Sequence, residues 1–92
     1  MIKSFACRDT EALYNDVRVS RFEACERHGR RKLTILATAP SLNALRVPPG
    51  NRLEALSGDR NGQFSIPINS QWRICFRWID GHAHDVEICD YH

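Results

Sequence analysis

The sequence predicts an α+β fold, with two N-terminal helices packed on one face of an antiparallel β-sheet. Three observations predict it. In the first half, apolar residues recur three and four positions apart, whereas from Asn51 onward they alternate at every second position. The turn signals of the second half, Gly58-Asp59-Arg60-Asn61-Gly62 and Asp80-Gly81, are short, so the strands that they join are antiparallel neighbours. A chain of 92 residues, 42% of them hydrophobic, supports one core and not two, so residues 1–92 read as a single domain.

Taken in order, Ile2 to Phe5 suit a short opening strand. Asp9 or Thr10 is placed to cap a short helix running through Leu13 and Val17, with Glu11 in its favourable first turn. A second, longer helix is expected over about residues 20–38, because Phe22, Cys25, Gly29, Leu33 and Leu36 draw one apolar stripe. Gly29 in mid-helix costs about 1 kcal/mol relative to Ala, which predicts a kink or close packing there. Pro40 stops the helix, and Pro48-Pro49-Gly50 ends the connecting segment. Arg52 to Leu56 is the next short strand. Phe64, Ile66 and Ile68 then alternate with Ser65, Pro67 and Asn69, and Trp72, Ile74, Phe76 and Trp78 alternate with Arg73, Cys75, Arg77 and Ile79. A last strand runs through Val86 and Ile88. Pro67 belongs at an edge or a bulge, since proline cannot donate to a ladder.

Several classes are excluded. No run of 18 apolar residues offers a membrane span, and the first residues lack the apolar stretch of a secretory signal, so a cytoplasmic protein is expected. The cysteines at 7, 25, 75 and 89 are widely spaced with no CxxC, which favours free, mostly buried thiols over disulfides. A zinc site from His82, His84, Cys89 and His92 lacks the paired spacing of structural zinc sites, so no metal and no cofactor is expected. The net charge of +2 is unevenly spread: residues 1–50 hold nine Lys/Arg against five Asp/Glu, and residues 51–92 hold four against six. Arg27, Arg30, Arg31 and Lys32 lie mostly off the apolar stripe, where they face water or a polyanion.

Two groups of residues have the chemistry of a phosphate site. Arg73 and Arg77 share the face opposite the aromatic row, roughly 13 Å apart at four residues' spacing. Guanidinium forks suit successive phosphates of a nucleic acid, although ion pairs with Glu54, Glu87 or Asp85 across the strands compete for them. The terminal Asp90-Tyr91-His92 places a carboxylate, a phenol and an imidazole within three residues, the groups that move protons in acid–base catalysis. Glu54 is a further candidate base.

The opening Met1-Ile2-Lys3-Ser4-Phe5, the segment Arg52-Leu53-Glu54-Ala55-Leu56-Ser57-Gly58-Asp59-Arg60, the run Ser65-Ile66, Trp72-Arg73-Ile74 and the closing Asp90-Tyr91-His92 resemble the HigB toxins of bacterial toxin–antitoxin pairs, within the RelE/ParE superfamily. The likeness covers nearly the whole chain. It implies two helices on an antiparallel sheet, and an endoribonuclease that cuts messenger RNA on the ribosome. It also implies a HigA-like helix-turn-helix antitoxin that neutralises the toxin and carries it to operator DNA. By position, Arg73, Asp90, Tyr91 and His92 match the family's active-site motif, and Glu54 stands at another catalytic position. The chain departs from the pattern at Glu54, where many relatives carry histidine, and at Ser57, where many carry lysine. Arg60 or Arg77 is then the candidate to replace the missing cation.

The mechanism expected from these residues is cleavage by the RNA's own 2′-hydroxyl, without a metal. Arg73 clamps the phosphate, Asp90 or Glu54 is the base, His92 the acid, and Tyr91 positions or stacks on a base. The basic residues Arg27, Arg30, Arg31 and Lys32 would meet ribosomal RNA, with Arg60 and Arg77 as further RNA contacts. Two rival readings are a gyrase-poisoning inhibitor, as in ParE-like members of the superfamily, and a plain RNA-binding module.

Overall fold

Two helices form where the apolar spacing places them, with boundaries set by tertiary contacts. The computed structural model describes residues 1–46 and 51–90, so the predicted Pro48-Pro49-Gly50 stop lies outside the described residues. Helix α1 spans Arg8–Tyr14 and helix α2 spans Glu26–Thr38. Neither Asp9 nor Thr10 caps α1, whose first helical residue is Arg8. Thr10 is drawn inward instead, where its Oγ1 accepts a hydrogen bond of 2.9 Å from the buried Ile88 N–H. The helix closes at Tyr14 rather than near Val17. Asp16 takes a left-handed conformation at φ 67°, and Arg30 donates from Nε to the Leu13 carbonyl and from Nη2 to that of Val17. These bonds tie α2 to the last turn of α1 and to the segment that follows it.

The long helix predicted over residues 20–38 divides in two. Ser20–Cys25 winds as a tighter 3-10 turn before α2 begins. The apolar stripe survives the change, because Phe22, Cys25, Gly29, Leu33 and Leu36 are all buried. Of the two outcomes expected at Gly29, close packing is the one realised. A Cβ there would stand 3.2 Å from Leu13 Cδ2 and 3.7 Å from Ile68 Cδ1, while α2 runs on unbroken.

The sheet comprises β1 (Glu54–Ala55), β2 (Phe64–Pro67), β3 (Trp72–Ile79) and β4 (His82–Asp90), in the order β1-β2-β3-β4 with every pair antiparallel. Asp80 and Gly81 turn the β3–β4 hairpin with φ of 51° and 82°, the double left-handed step that suits the twist of the strands. The predicted opening strand exists only as two parallel bridges, Ile2 to Ala83 and Phe5 to Val86. They lay the N-terminal segment along β4 and cover that edge. Pro67 is the last residue of β2, and β1 reaches only as far as Ser65, so its missing N–H faces no β1 partner.

Alternation divides the sheet into two unlike faces. Ile66, Ile74, Phe76, Val86 and Ile88 turn toward Leu13, Phe22, Leu33, Leu36 and Leu45 and form the buried cluster. Each such side chain contributes roughly 1.5–3 kcal/mol through apolar burial. The opposite face carries Ser65, Arg73, Cys75 and Glu87, and it holds the polar chemistry.

Candidate active site

Strand register builds the site. Glu54 stands opposite Ser65, Ser65 opposite Cys75 and Cys75 opposite Glu87, so one row of side chains crosses all four strands on the outer face. One step along the ladder, Arg73 lies between Pro67 and Cys89. The connection from β1 to β2 rises beside this row and adds Leu56, Ser57, Asp59 and Arg60. Together with Ser65, Arg73, Cys75, Cys89 and Asp90 they line a hollow of about 360 Å³.

Arg73 is the most enclosed charge in the hollow, 8% exposed. A guanidinium taken this far from water needs partners. Its Nε donates to Ser65 Oγ at 2.9 Å, and its Nη2 lies 3.3 Å from Glu54 Oε2. These contacts fix the plane of the fork, which is what a phosphate clamp requires. Arg60 is held at the rim by bonds of 3.0 Å from Nη1 to Gln63 Oε1 and to Glu87 Oε1. Burial pulls its basicity down, but the Glu87 hydrogen bond and the neighbouring thiols outweigh that and leave it raised. Asp90, the last residue of β4, accepts a 3.3 Å bond from Gln71 Nε2 at the mouth.

The structure therefore brings together Arg73, Asp90 and Arg60, with Glu54 on Arg73. Tyr91 and His92 lie outside the described residues. The expected partnership of Arg73 with Arg77 on one phosphate track is not formed in the hollow. The β3–β4 register breaks between Cys75 and Arg77, and Arg77 Nε faces Asp85 Oδ2 at 3.6 Å. Both competing ion pairs thus exist: Glu54 takes Arg73, and Asp85 takes Arg77.

The basic residues of α2 also separate. Arg27 and Arg31 are exposed. Arg30 is spent on the Leu13 and Val17 carbonyls and on Glu26, 2.7 Å away. Lys32 Nζ donates to Asn51 Oδ1 at 2.9 Å, and burial, then the nearby Arg31 charge, lowers its pKa. Sequence reasoning missed the roles of Ser65, Asp59, Cys75 and Cys89. The period-two pattern already placed Ser65 and Cys75 on the polar face, but only the register shows that they meet. Among the described residues, no cluster of three or more His, Cys, Asp or Glu side chains is arranged to hold a metal ion. Nor is any helix there long and apolar enough to cross a membrane.

The family model for the RelE-like toxin of the type II toxin–antitoxin system HigB matches residues 3–92. The chain belongs to that family. It is 51% identical over 53 residues to the toxin HigB-1 of Vibrio cholerae, a stretch covering 58% of this chain and 56% of the relative. It is 44% identical over 41 residues to the endoribonuclease HigB of Proteus vulgaris, covering 45% of each. The matched stretches thus span about half the length of these HigB relatives. Among solved structures, the YoeB–YefM toxin–antitoxin complexes of Staphylococcus aureus include chains superposing with TM-scores of 0.63 and 0.58. Both are 18% identical, and each match covers 100% of this chain and 98% of the other. That likeness supports the predicted α+β fold of helices with an antiparallel sheet, which the structure shows to be four-stranded.

Proposed function

We propose that this HigB-family chain is an endoribonuclease that cuts messenger RNA at the ribosome. The observation that carries the reading is the enclosed Arg73 fork, held by Ser65 and Glu54 in a hollow that also contains Arg60 and Asp90. The family, and a relative named as an endoribonuclease, supply the reaction class.

In this reading the scissile phosphate lies on Arg73, where the guanidinium stabilises charge as the 2′-oxygen attacks and a 2′,3′-cyclic phosphate forms. Asp90 or Glu54 removes the 2′-hydroxyl proton, and His92 returns one to the leaving 5′-oxygen. Tyr91 positions or stacks on a base. The protein groups supply base, clamp and acid, so the step runs without a metal. Arg60 takes the role of the cation absent at Ser57. The hollow is shallow, so the ribosome orients the message and provides the proximity that a deep pocket would otherwise provide. The exposed Arg27 and Arg31 meet ribosomal RNA. The neutralising partner is a HigA-like helix-turn-helix antitoxin, through which the toxin reaches operator DNA. Family membership and toxin–antitoxin complexes of the same fold support an antitoxin partner.

The test is primer extension on messages from cells expressing the chain, beside Arg73→Ala and Arg73→Lys variants. Wild type should produce new 5′ ends, and Arg73→Ala should reduce them by roughly two to three orders of magnitude, as when a transition-state donor is lost. Arg73→Lys should also fall, because an ammonium is not a fork. Undiminished cleavage by Arg73→Ala would overturn the site. Growth arrest with intact messages and inhibited supercoiling would instead favour a gyrase poison.

A further inference from the structure

The floor of the hollow carries two thiols that phosphate cleavage does not use. Cys75 on β3 and Cys89 on β4 both line it, together with Arg60 and Arg73. Cys89 stands opposite Arg73 and Cys75 opposite Glu87, which makes the two thiols diagonal neighbours on one face of the sheet. The register irregularity begins at Cys75, and such bulges increase the local twist of the strand. The Cys89 thiol donates to the Glu87 carbonyl at 3.9 Å, beside the Cys75 thiol with which it interacts.

The surroundings make the two sulfurs unequal. The Cys89 thiol lowers the Cys75 pKa; burial and the Glu87 carboxylate opposite it work against this, and the Arg60 and Arg73 charges assist it. The same interaction, with burial, pushes Cys89 up. This is the polarity of an attacking thiolate beside a resolving thiol. Cys25 is the internal contrast. It is packed among apolar side chains at 1% exposure, and burial raises its pKa.

We infer that Cys75 and Cys89 form an oxidation site, at which a hydroperoxide entering the cationic hollow converts the two thiols into a disulfide across β3 and β4. The Cys75 sulfur attacks the nearer peroxide oxygen and the O–O bond breaks. Cys75 becomes a sulfenic acid, and the departing oxygen leaves as water or an alcohol after taking a proton. The Cys89 sulfur then attacks the sulfenic sulfur, the S–S bond forms, and the hydroxyl leaves with the Cys89 proton as water. Two thiols are oxidised by two electrons and one peroxide is reduced. Arg60 and Arg73 favour the thiolate and the negative charge on the departing oxygen. The bridge draws together the strands that carry Arg73 and Asp90, so it reshapes the hollow. That consequence for cleavage rests on the ribonuclease reading; the thiol chemistry does not.

The test treats the purified, reduced chain with one equivalent of hydrogen peroxide, followed by intact mass and peptide mapping. The expected result is loss of two hydrogens, a Cys75–Cys89 linked peptide, and full reversal by dithiothreitol. In Cys89→Ala, Cys75 should instead gain one oxygen that dimedone captures, and in Cys75→Ala neither product should form. In the wild-type chain, Cys75 should react with iodoacetamide at pH 7 at least about tenfold faster than Cys25. Oxidation confined to Cys7, bridges only between molecules, or equal reactivity of Cys75 and Cys25 would overturn the assignment. Cleavage is then compared in the reduced and bridged wild-type chain. Unchanged cleavage by the bridged form would refute the reshaping, whereas no cleavage by the reduced form would count against the ribonuclease reading.

Discussion

The two faces of the sheet are built from alternate residues of the same strands, yet different physics holds them. On β3, Ile74 and Phe76 are fully buried against the helices, while the alternating Arg73 and Cys75 point into the polar hollow. The inner face is held by area, a term without direction and shared among many side chains. The outer face is held by a few directional contacts: Ser65 and Glu54 on Arg73, Gln63 and Glu87 on Arg60. Stability and chemistry can therefore be perturbed separately within a single strand.

The largest effect is expected on the inner face. Phe76→Ala should cost about 3–5 kcal/mol in urea unfolding, a large share of the stability of a domain this size. Thr10→Val tests a polar tie between α1 and β4. It strands the buried Ile88 N–H and should cost about 1–3 kcal/mol, read from the denaturation midpoint. Ser65→Ala crosses to the outer face. It frees the Arg73 fork to turn and should lower cleavage roughly tenfold, about 1.4 kcal/mol of transition-state stabilisation. Because Ser65 is itself buried, a loss of stability larger than the loss of cleavage would blur the contrast between the faces. The smallest change is Arg77→Ala. Its ion pair with Asp85 is half-exposed at 3.6 Å, so stability should move by no more than about 0.5 kcal/mol. Cleavage should fall far less than in Arg73→Ala; an equal fall would restore the two-arginine phosphate track.

Cys25 and Cys75 repeat the comparison in one residue type. Burial holds the Cys25 pKa above its ordinary value of 9.0. The associated stability is fully present below that pH and is lost as pH rises through the higher folded value. Cys75, lowered by Cys89 and then by the arginines, has the opposite sign.

Much of the architecture is local and is readable from order alone. The switch from a three-four period to a period of two marks the boundary between helices and sheet, and Asp80-Gly81 marks the hairpin, because each depends on residues close in the chain. The stripe from Phe22 to Leu36 names the buried helix face even though Ser20–Cys25 is wound differently. The resemblance at Trp72-Arg73-Ile74 and the terminal tripeptide pointed to the right family for a similar reason: a motif is a property of order.

Which charges are available was decided only by folding. Arg30 and Lys32 look like members of one basic run with Arg27 and Arg31, but distant carbonyls and Asn51 claim them. Arg73 and Arg77 look equivalent by spacing, and a single break in the ladder separates them. The hollow itself joins residues 56, 57, 59, 60, 65, 73, 75, 89 and 90, and no local rule relates these segments. Periodicity is set by backbone geometry within a few residues, whereas the site depends on register across four strands, which only the packed sheet fixes.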